Sequence, residues 1–535
     1  MALLMHVTPI PAEEFDAQPL ARESWYITTN CSPPTMLSRS SLRSGQKALR
    51  CLQCGQKRGL AAPASGSFAY QTGDAAGTKF ASRDLTGPTT TLALVSKAGT
   101  RFQFLPGLAE GLEKFAYRNT EKRSALRIVR ETELLGAELF TSHSRENLVV
   151  GAKFLRDDLP YFVELLAEVA SETKYQGHVF SEDVVPLLKM SQKKLLGSTK
   201  LMALSSAHGL AFHRGLGEPL YPSSSTPLSK YLDASTIGAY ASAAYSKPNI
   251  AVVANGADNA ELSKWVGEFF KNVPSTAAAG VPALESAQSK YVGGEERIAH
   301  AGGNTVVLGF AGSSSFTGAF YKPEIAVLAS LLGGESSIKW SSGFSLLAKA
   351  TAEFPGASVS TKSQTYSDAG LLYVQIDGSA RDVAGAAFKA VDTIKAVANG
   401  QITKEDITKA KAQAKFQELE LGQNVYHGIE ATGAGLIHGN KAYQIDETAK
   451  LIDGVNEEAL KKVAKTLLES KAYNRYLAVA ARVVRRSLKE DKRLLAERRG
   501  ETDLKFAKWE NGKQGENKNL TQANAASMAA AASSS

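Results

Sequence analysis

Along this 535-residue chain the apolar positions follow two rhythms, a strand's and a helix's, and the succession of rhythms occurs twice. Residues 89–97, TTTLALVSK, form a short β-branched and apolar run of the kind a half-buried strand requires. A helix is predicted within 107–120 and another over 121–135, closing on Leu134-Leu135-Gly136. Two paired strands come next, and then a stretch at 159–169 whose apolar residues return at helical spacing. The order then repeats: strand 304–311, helix 324–332 stopped by Gly333-Gly334, strands 357–364 and 370–377, helix 380–398. Alternating strands joined by short turns, with 3.6-period helices between them, predict an α+β fold of two homologous halves. Each half is expected to hold a mixed or antiparallel β-sheet with helices packed on one face. Residues 274–289, rich in Pro, Ala, Gly and Ser, have a linker's composition and are expected to be the hinge.

Composition changes this picture mainly at the two ends. With 43% hydrophobic and 21% charged residues the chain can bury a sizeable core, and its length predicts several domains. No apolar run approaches the roughly 18 residues of a spanning helix, so any membrane association is expected to be peripheral, through partners. The net charge of +9 is unevenly spread. Residues 1–24 carry one Arg against four acids, 25–73 six basic residues against none, and 482–535 twelve against seven, which leaves about +1 for 74–481. A nearly neutral body has no basic stripe for nucleic acid.

The acid-free stretch 36–50, MLSRSSLRSGQKALR, has the Arg-rich and Ser-rich composition of a mitochondrial transit peptide. Met36 is the expected true start, and cleavage is expected just after Lys57-Arg58-Gly59-Leu60. Cys31, Cys51 and Cys54 all lie in this region, so the mature body is expected to hold no thiol. At the other end, residues 482–535 are charged and then rich in Asn, Gln, Ala and Ser, a composition that predicts disorder.

The chemistry-bearing candidate is Glu110-Gly-Leu-Glu113-Lys114. Its frame is that of H-x-x-E-H, in which two imidazoles four residues apart on one helical face hold a zinc and the Glu between them acts as base. Here Glu110 and Lys114 stand at the two histidine positions, and an ammonium has no lone pair for a cation. Glu113 keeps the place of the base but could act only on a water that a metal had already polarised. The frame resembles that of the inverted-zincin metallopeptidases, and the resemblance implies a third ligand from a Glu further along the chain, where the matching residues 184–200 contain no acid. Metal and cofactor are therefore predicted to be absent, and no residue is assigned as catalytic.

The residues beyond the box make a resemblance specific. A helix, Leu135-Gly136, a strand, Arg145-Glu146-Asn147, a second strand, Asp157-Asp158-Leu159-Pro160 and a helix come in that order. Further on, Ala211-Phe212-His213-Arg214-Gly215-Leu216-Gly217-Glu218-Pro219 resembles an A-F-x-G-x-x-L-G-x-P element. From about residue 67 to about 480 the chain is similar to the M16 family of pitrilysin, insulinase and processing peptidases. The resemblance implies a LuxS/MPP-like fold, with a first half over 67–273, a linker at 274–289, a second half over 290–481, an N-terminal extension at 1–60 and a tail at 482–535.

Members of the family without zinc include the core proteins of the mitochondrial cytochrome bc1 complex (complex III, ubiquinol–cytochrome c reductase) and the alpha subunit of the mitochondrial processing peptidase. By resemblance the chain is expected to be a non-catalytic structural subunit on the matrix side of the inner membrane. Its implied partners are core protein 1, cytochrome b, cytochrome c1 and the Rieske protein. The alternative is a presequence-binding alpha-type subunit. Its long glycine-rich loop would fall at residues 332–340, where only Gly333 and Gly334 remain.

Other residues invite a blander reading. His208 and His213 lie five apart, near 140° around a helix, and do not share a metal face. Arg145, Glu146 and Asn147 are expected to make strand-end hydrogen bonds and ion pairs. Residues 366–370 are expected to close a strand-to-strand turn, Gly370 giving it freedom, and Tyr366 matches the place of a substrate-holding tyrosine in active relatives.

Overall fold

The computed structural model describes residues 69–469 apart from 85–86, 224–226, 285–286, 301 and 336–342. The readings made for residues 1–60, for the three cysteines, for most of the 332–340 stretch and for the tail lie outside the described residues.

The first half is built on six strands: β1 Gln71–Ala75, β2 Thr78–Arg83, β3 Thr89–Ser96, β4 Glu138–His143, β5 Leu148–Leu155 and β6 Ile250–Asn255. Their order across the sheet is β1-β2-β6-β3-β5-β4, with β2 and β6 parallel and every other pair antiparallel. The central strand β3 is held on both sides, Leu94 lying opposite Val150 of β5 and Val252 of β6. Because side chains alternate along a strand, Leu92 and Leu94 face one core while Ala93 and Val95 face another.

The front core is filled by helices of the same half, α1 Leu108–Phe115, α2 Ala125–Leu134, α3 Leu159–Ser171, α4 Val185–Gly197, α5 Thr199–Phe212, α6 Ala234–Ala244 and α7 Asn259–Phe269, with α5 lying apart from it. Phe162, Leu165, Leu166 and Val169 of α3 are all buried there, as their spacing requires. Helix α2 starts at Ala125, four residues later than its apolar pattern suggests. Ser124 caps it by accepting from the Arg127 amide, and the preceding turn is held by Thr120.

The second half carries β7 Asn304–Ala311, β8 Ala357–Thr365 and β9 Gly370–Gly378, in the order β7-β9-β8 and all antiparallel. Its helices are α8 Pro323–Leu332, α9 Leu346–Thr351, α10 Ala380–Ala398, α11 Lys404–Gln423, α12 Val425–Ala434, α13 Ile445–Asp453 and α14 Glu457–Glu469. Leu308, Leu372, Val374 and Ile376 meet α8 and α10 in one core. Tyr366 to Gly370 close the β8–β9 turn, with the Tyr366 amide donating to the Ala369 carbonyl at 2.8 Å. Gly370 is needed there for space rather than for freedom. It has no positive φ, and a Cβ would stand 2.0 Å from the Ser313 carbonyl oxygen.

Each sheet has a second face, and the opposite half covers it. Against Ala81, Ala93, Val95, Val149, Ala251 and Val253 of the first sheet lie Ile429 of α12 and, just beyond that helix, Leu436 and Ala442. Against Leu371 and Tyr373 of the second sheet lie Ala211 and Phe212 of α5 and Leu216. Helix α12 approaches closely through Gly433, where a Cβ would meet Val95 Cγ2 at 2.4 Å. Gly433→Ala is therefore expected to overpack this layer and cost about 1–3 kcal/mol of stability. Gly197→Ala, with nothing within 4 Å of the added methyl, should leave the urea midpoint unchanged or raise it.

Candidate functional site

Helix α1 carries the box and is almost wholly buried. Gly107 at its N-cap adopts φ of 93°, a conformation that only glycine takes freely. On the face toward β4, Glu113 accepts from Lys114 Nζ at 2.7 Å through Oε1 and bonds His143 Nδ1 through Oε2. The other nitrogen of His143 lies 3.1 Å from the Leu220 carbonyl oxygen, and Tyr221 stands edge-on to the ring. A carboxylate and a carbonyl can only accept, so both ring nitrogens donate and His143 is an imidazolium.

Burial works against the His143 charge, but the bond to Glu113 and the charge of Glu113 outweigh it and raise the imidazole above its ordinary 6.5. Burial pushes the Glu113 carboxyl up, but His143 and Lys114 outweigh it and hold it below the usual carboxylate value. Two protein cations thus surround the carboxylate beside which a zinc would stand.

Glu110 has a different environment. It is 1% exposed, and no described group makes a normal hydrogen bond to either carboxyl oxygen. Burial raises its pKa, with Ser191, His143 and Lys114 pulling the other way. Ser191 lies on α4, the helix of the expected third ligand, so the chain places a hydroxyl where that ligand would come from. Among the described residues no group of three or more His, Cys, Asp or Glu side chains is arranged to hold a metal ion.

Arg145, Glu146 and Asn147 lie in the β4–β5 turn, and the first two reach outward from it. Gly99 of the loop after β3 crosses this turn so closely that a Cβ would sit 2.3 Å from the Arg145 backbone. This crossing puts Arg101 beside Glu146, with Nη1 to Oε1 at 2.6 Å. Arg145 donates to the Leu216 carbonyl at 2.9 Å and to that of Glu218. His208 is buried, with Nε2 2.9 Å from the Tyr366 hydroxyl, and burial pushes its imidazole down to about 3, helped by the nearby Arg145 charge. His213 ends α5 with φ of 57°, away from any metal arrangement. Two residues whose contacts organise this region were not apparent from sequence, His143 and Arg101. His143 is brought to Glu113 by the register of β4, across 30 residues, and no motif marks it.

Residues 79–194 match the family model for "Insulinase (Peptidase family M16)" and 232–414 that for "Peptidase M16 inactive domain". The cytochrome b-c1 complex subunit 2 of Neurospora crassa is 51% identical over 441 residues, 82% of this chain and 95% of that protein. The chain belongs to the M16 family. The subunit of the same name from Schizosaccharomyces pombe is 35% identical over 74% of this chain and 89% of that one. The mitochondrial-processing peptidase subunit alpha of Solanum tuberosum is 24% identical over 74% and 79%. A protease from Helicobacter pylori has the same fold, with a TM-score of 0.63 at 14% identity over 75% of this chain and 97% of that structure. Residues 472–512 match a different family model, "Mitochondrial ATP synthase epsilon chain".

Removing His143 would leave a buried carboxylate short of a partner, so His143→Gln is expected to cost about 3–5 kcal/mol. The cost should depend on pH. His143, raised in the folded state, contributes fully below its unfolded value near 6.5 and loses the contribution as pH rises through its folded value. Glu113, lowered, contributes above its unfolded value near 4.5 and loses the contribution as pH falls through its folded value. Urea unfolding of both proteins across pH should therefore show the widest gap between about pH 5 and 6.5.

Proposed function

We propose that this chain is a non-catalytic core subunit of the mitochondrial cytochrome bc1 complex, peripheral to the inner membrane on its matrix side, where it supports assembly of the complex. The observation that carries the reading is the 51% identity along 95% of the Neurospora crassa subunit 2. The box supports it, because Lys114 and His143 put positive charge beside the carboxylate that would otherwise serve a metal. Among the described residues no helix is long and apolar enough to cross a membrane, which fits attachment through partners. Core protein 1, cytochrome b, cytochrome c1 and the Rieske protein are the proposed partners. Two M16-type halves, with boundaries near 67–273 and 290–481, form the proposed body.

The match at 472–512 favours a second reading for that segment alone. We propose that it is a segment of ATP synthase epsilon type joined to the M16 body.

Mild detergent extraction of mitochondria and mass spectrometry of the purified chain's partners test the main reading. Cytochrome b and the Rieske protein are expected. Recovery with only a zinc-bearing peptidase subunit from a membrane-free extract would instead favour the presequence-binding alternative. Metal analysis is expected to return far less than about one equivalent of zinc, and peptide cleavage abolished by chelators would overturn the non-catalytic assignment. For the epsilon-type segment, a peptide running across residue 471 should be found in the complex III band. Finding residues 472–512 only as a separate small polypeptide in the ATP synthase band would refute the joined arrangement.

A further inference from the structure

The composition of residues 274–289 describes a hinge, but contacts at Pro274, Ala278, Leu284 and Ser289 tie it, as a strap, to its neighbours. The Lys247 amide donates to the Pro274 carbonyl at 2.9 Å, the Ala278 amide to Ser242 Oγ at 3.4 Å, and Leu284 is buried in the front core of the first half. Beyond the strap, the Val292 amide donates to the Ala211 carbonyl at 2.8 Å and the Tyr291 hydroxyl to the Gly309 carbonyl of β7 at 2.8 Å.

Asp368 in the β8–β9 turn is where the strap meets both halves. Its Oδ1 accepts from Arg101 Nη1 at 2.7 Å, and its Oδ2 accepts both Arg101 Nη2 at 2.7 Å and the Ser289 amide at 2.8 Å. Arg101 comes from the first half, Ser289 ends the strap, and Asp368 belongs to the second half. Glu146 of the first half accepts the Ser367 amide at 2.8 Å and its hydroxyl at 2.6 Å, beside its own bond to Arg101. The Arg101 side chain is only 4% exposed and that of Glu146 7%. Separating the halves would pull a buried guanidinium from one of its two carboxylates and leave backbone donors unmatched. The two crossed helices, α12 on the first sheet and α5 on the second, would lose their apolar contacts in the same motion.

We infer that the two halves of this chain are locked as one non-hinging body, with Asp368 the residue that ties Arg101, the 274–289 strap and the second sheet together. A body locked in this way does not open and close between its halves. The inference concerns the chain's internal mechanics and holds whether or not the proposed function does.

The full chain, with Cys31, Cys51 and Cys54 replaced by serine, allows spin labels to be placed at Arg130→Cys and Lys409→Cys, both exposed and one in each half. Pulsed dipolar spectroscopy is expected to give one narrow distance distribution in this protein, and a broadened or shifted one after Asp368→Ala. Trypsin provides a second readout through Lys290 and Arg297, both exposed beside the strap. With Asp368→Asn, which keeps the side chain's shape, cleavage there should run at least about tenfold faster while far-ultraviolet circular dichroism is unchanged, a loss of about 1.4 kcal/mol of protection if cleavage tracks opening. A broad or two-peaked distribution in the unsubstituted protein would overturn the inference. So would an Asp368→Asn chain that is cut no faster than the parent.

Discussion

Each sheet in this protein has one face covered by helices of its own half and the other by a helix of the opposite half. The first sheet alternates Leu92, Leu94 and Val252 toward its own helices with Ala93, Val95 and Val253 toward a helix from the other end of the chain. The second does the same with Leu372 and Val374 on one side and Leu371 and Tyr373 on the other. Strand periodicity of two therefore does more than orient side chains, because it makes each half depend on the other. The small residues on the first sheet's back face, Ala81, Ala93 and Ala251, leave room for a helix to lie close, and Gly433 uses that room.

The box on α1 obeys the same logic of satisfied neighbours. In an active relative a dication would organise the box helix against its surroundings. Here an imidazolium and an ammonium divide that task around Glu113, and the imidazolium also holds the Leu220 carbonyl. The architecture persists because the charges balance locally, whereas Glu110, buried without a strong partner, is driven toward its neutral form.

Much of this was legible in the sequence where the signal is local. The helix Ala380–Ala398 ends where its apolar spacing ends, and Ser379 at its start makes the cap that its side chain suits. Strands β3, β7, β8 and β9 fall within a residue of where alternation places them. The helix carrying Glu110, Glu113 and Lys114 was legible because their spacing suits one helical face. His143 was not, since its role depends on pairing between β4 and β5 and on the packing of α1 against that edge. Arg101 and Asp368 were also hidden, being 267 residues apart and joined only when the halves meet. Amphipathicity shows that a helix has an apolar face, but it does not say whose sheet that face will cover, and so the exchange of α5 and α12 had no sequence signature.

The crossing of α12 onto the first sheet also sets an order of events for the growing polypeptide. Strands β2 to β6 are complete once residue 255 has been made, yet Ile429, Leu436 and Ala442, which cover their back face, come more than 170 residues later. Throughout that interval an apolar layer that includes Val95, Val149 and Val253 has nothing of its own to rest against. A first half folded before residues 429–442 are in place would leave that layer open to water, the kind of surface that favours aggregation.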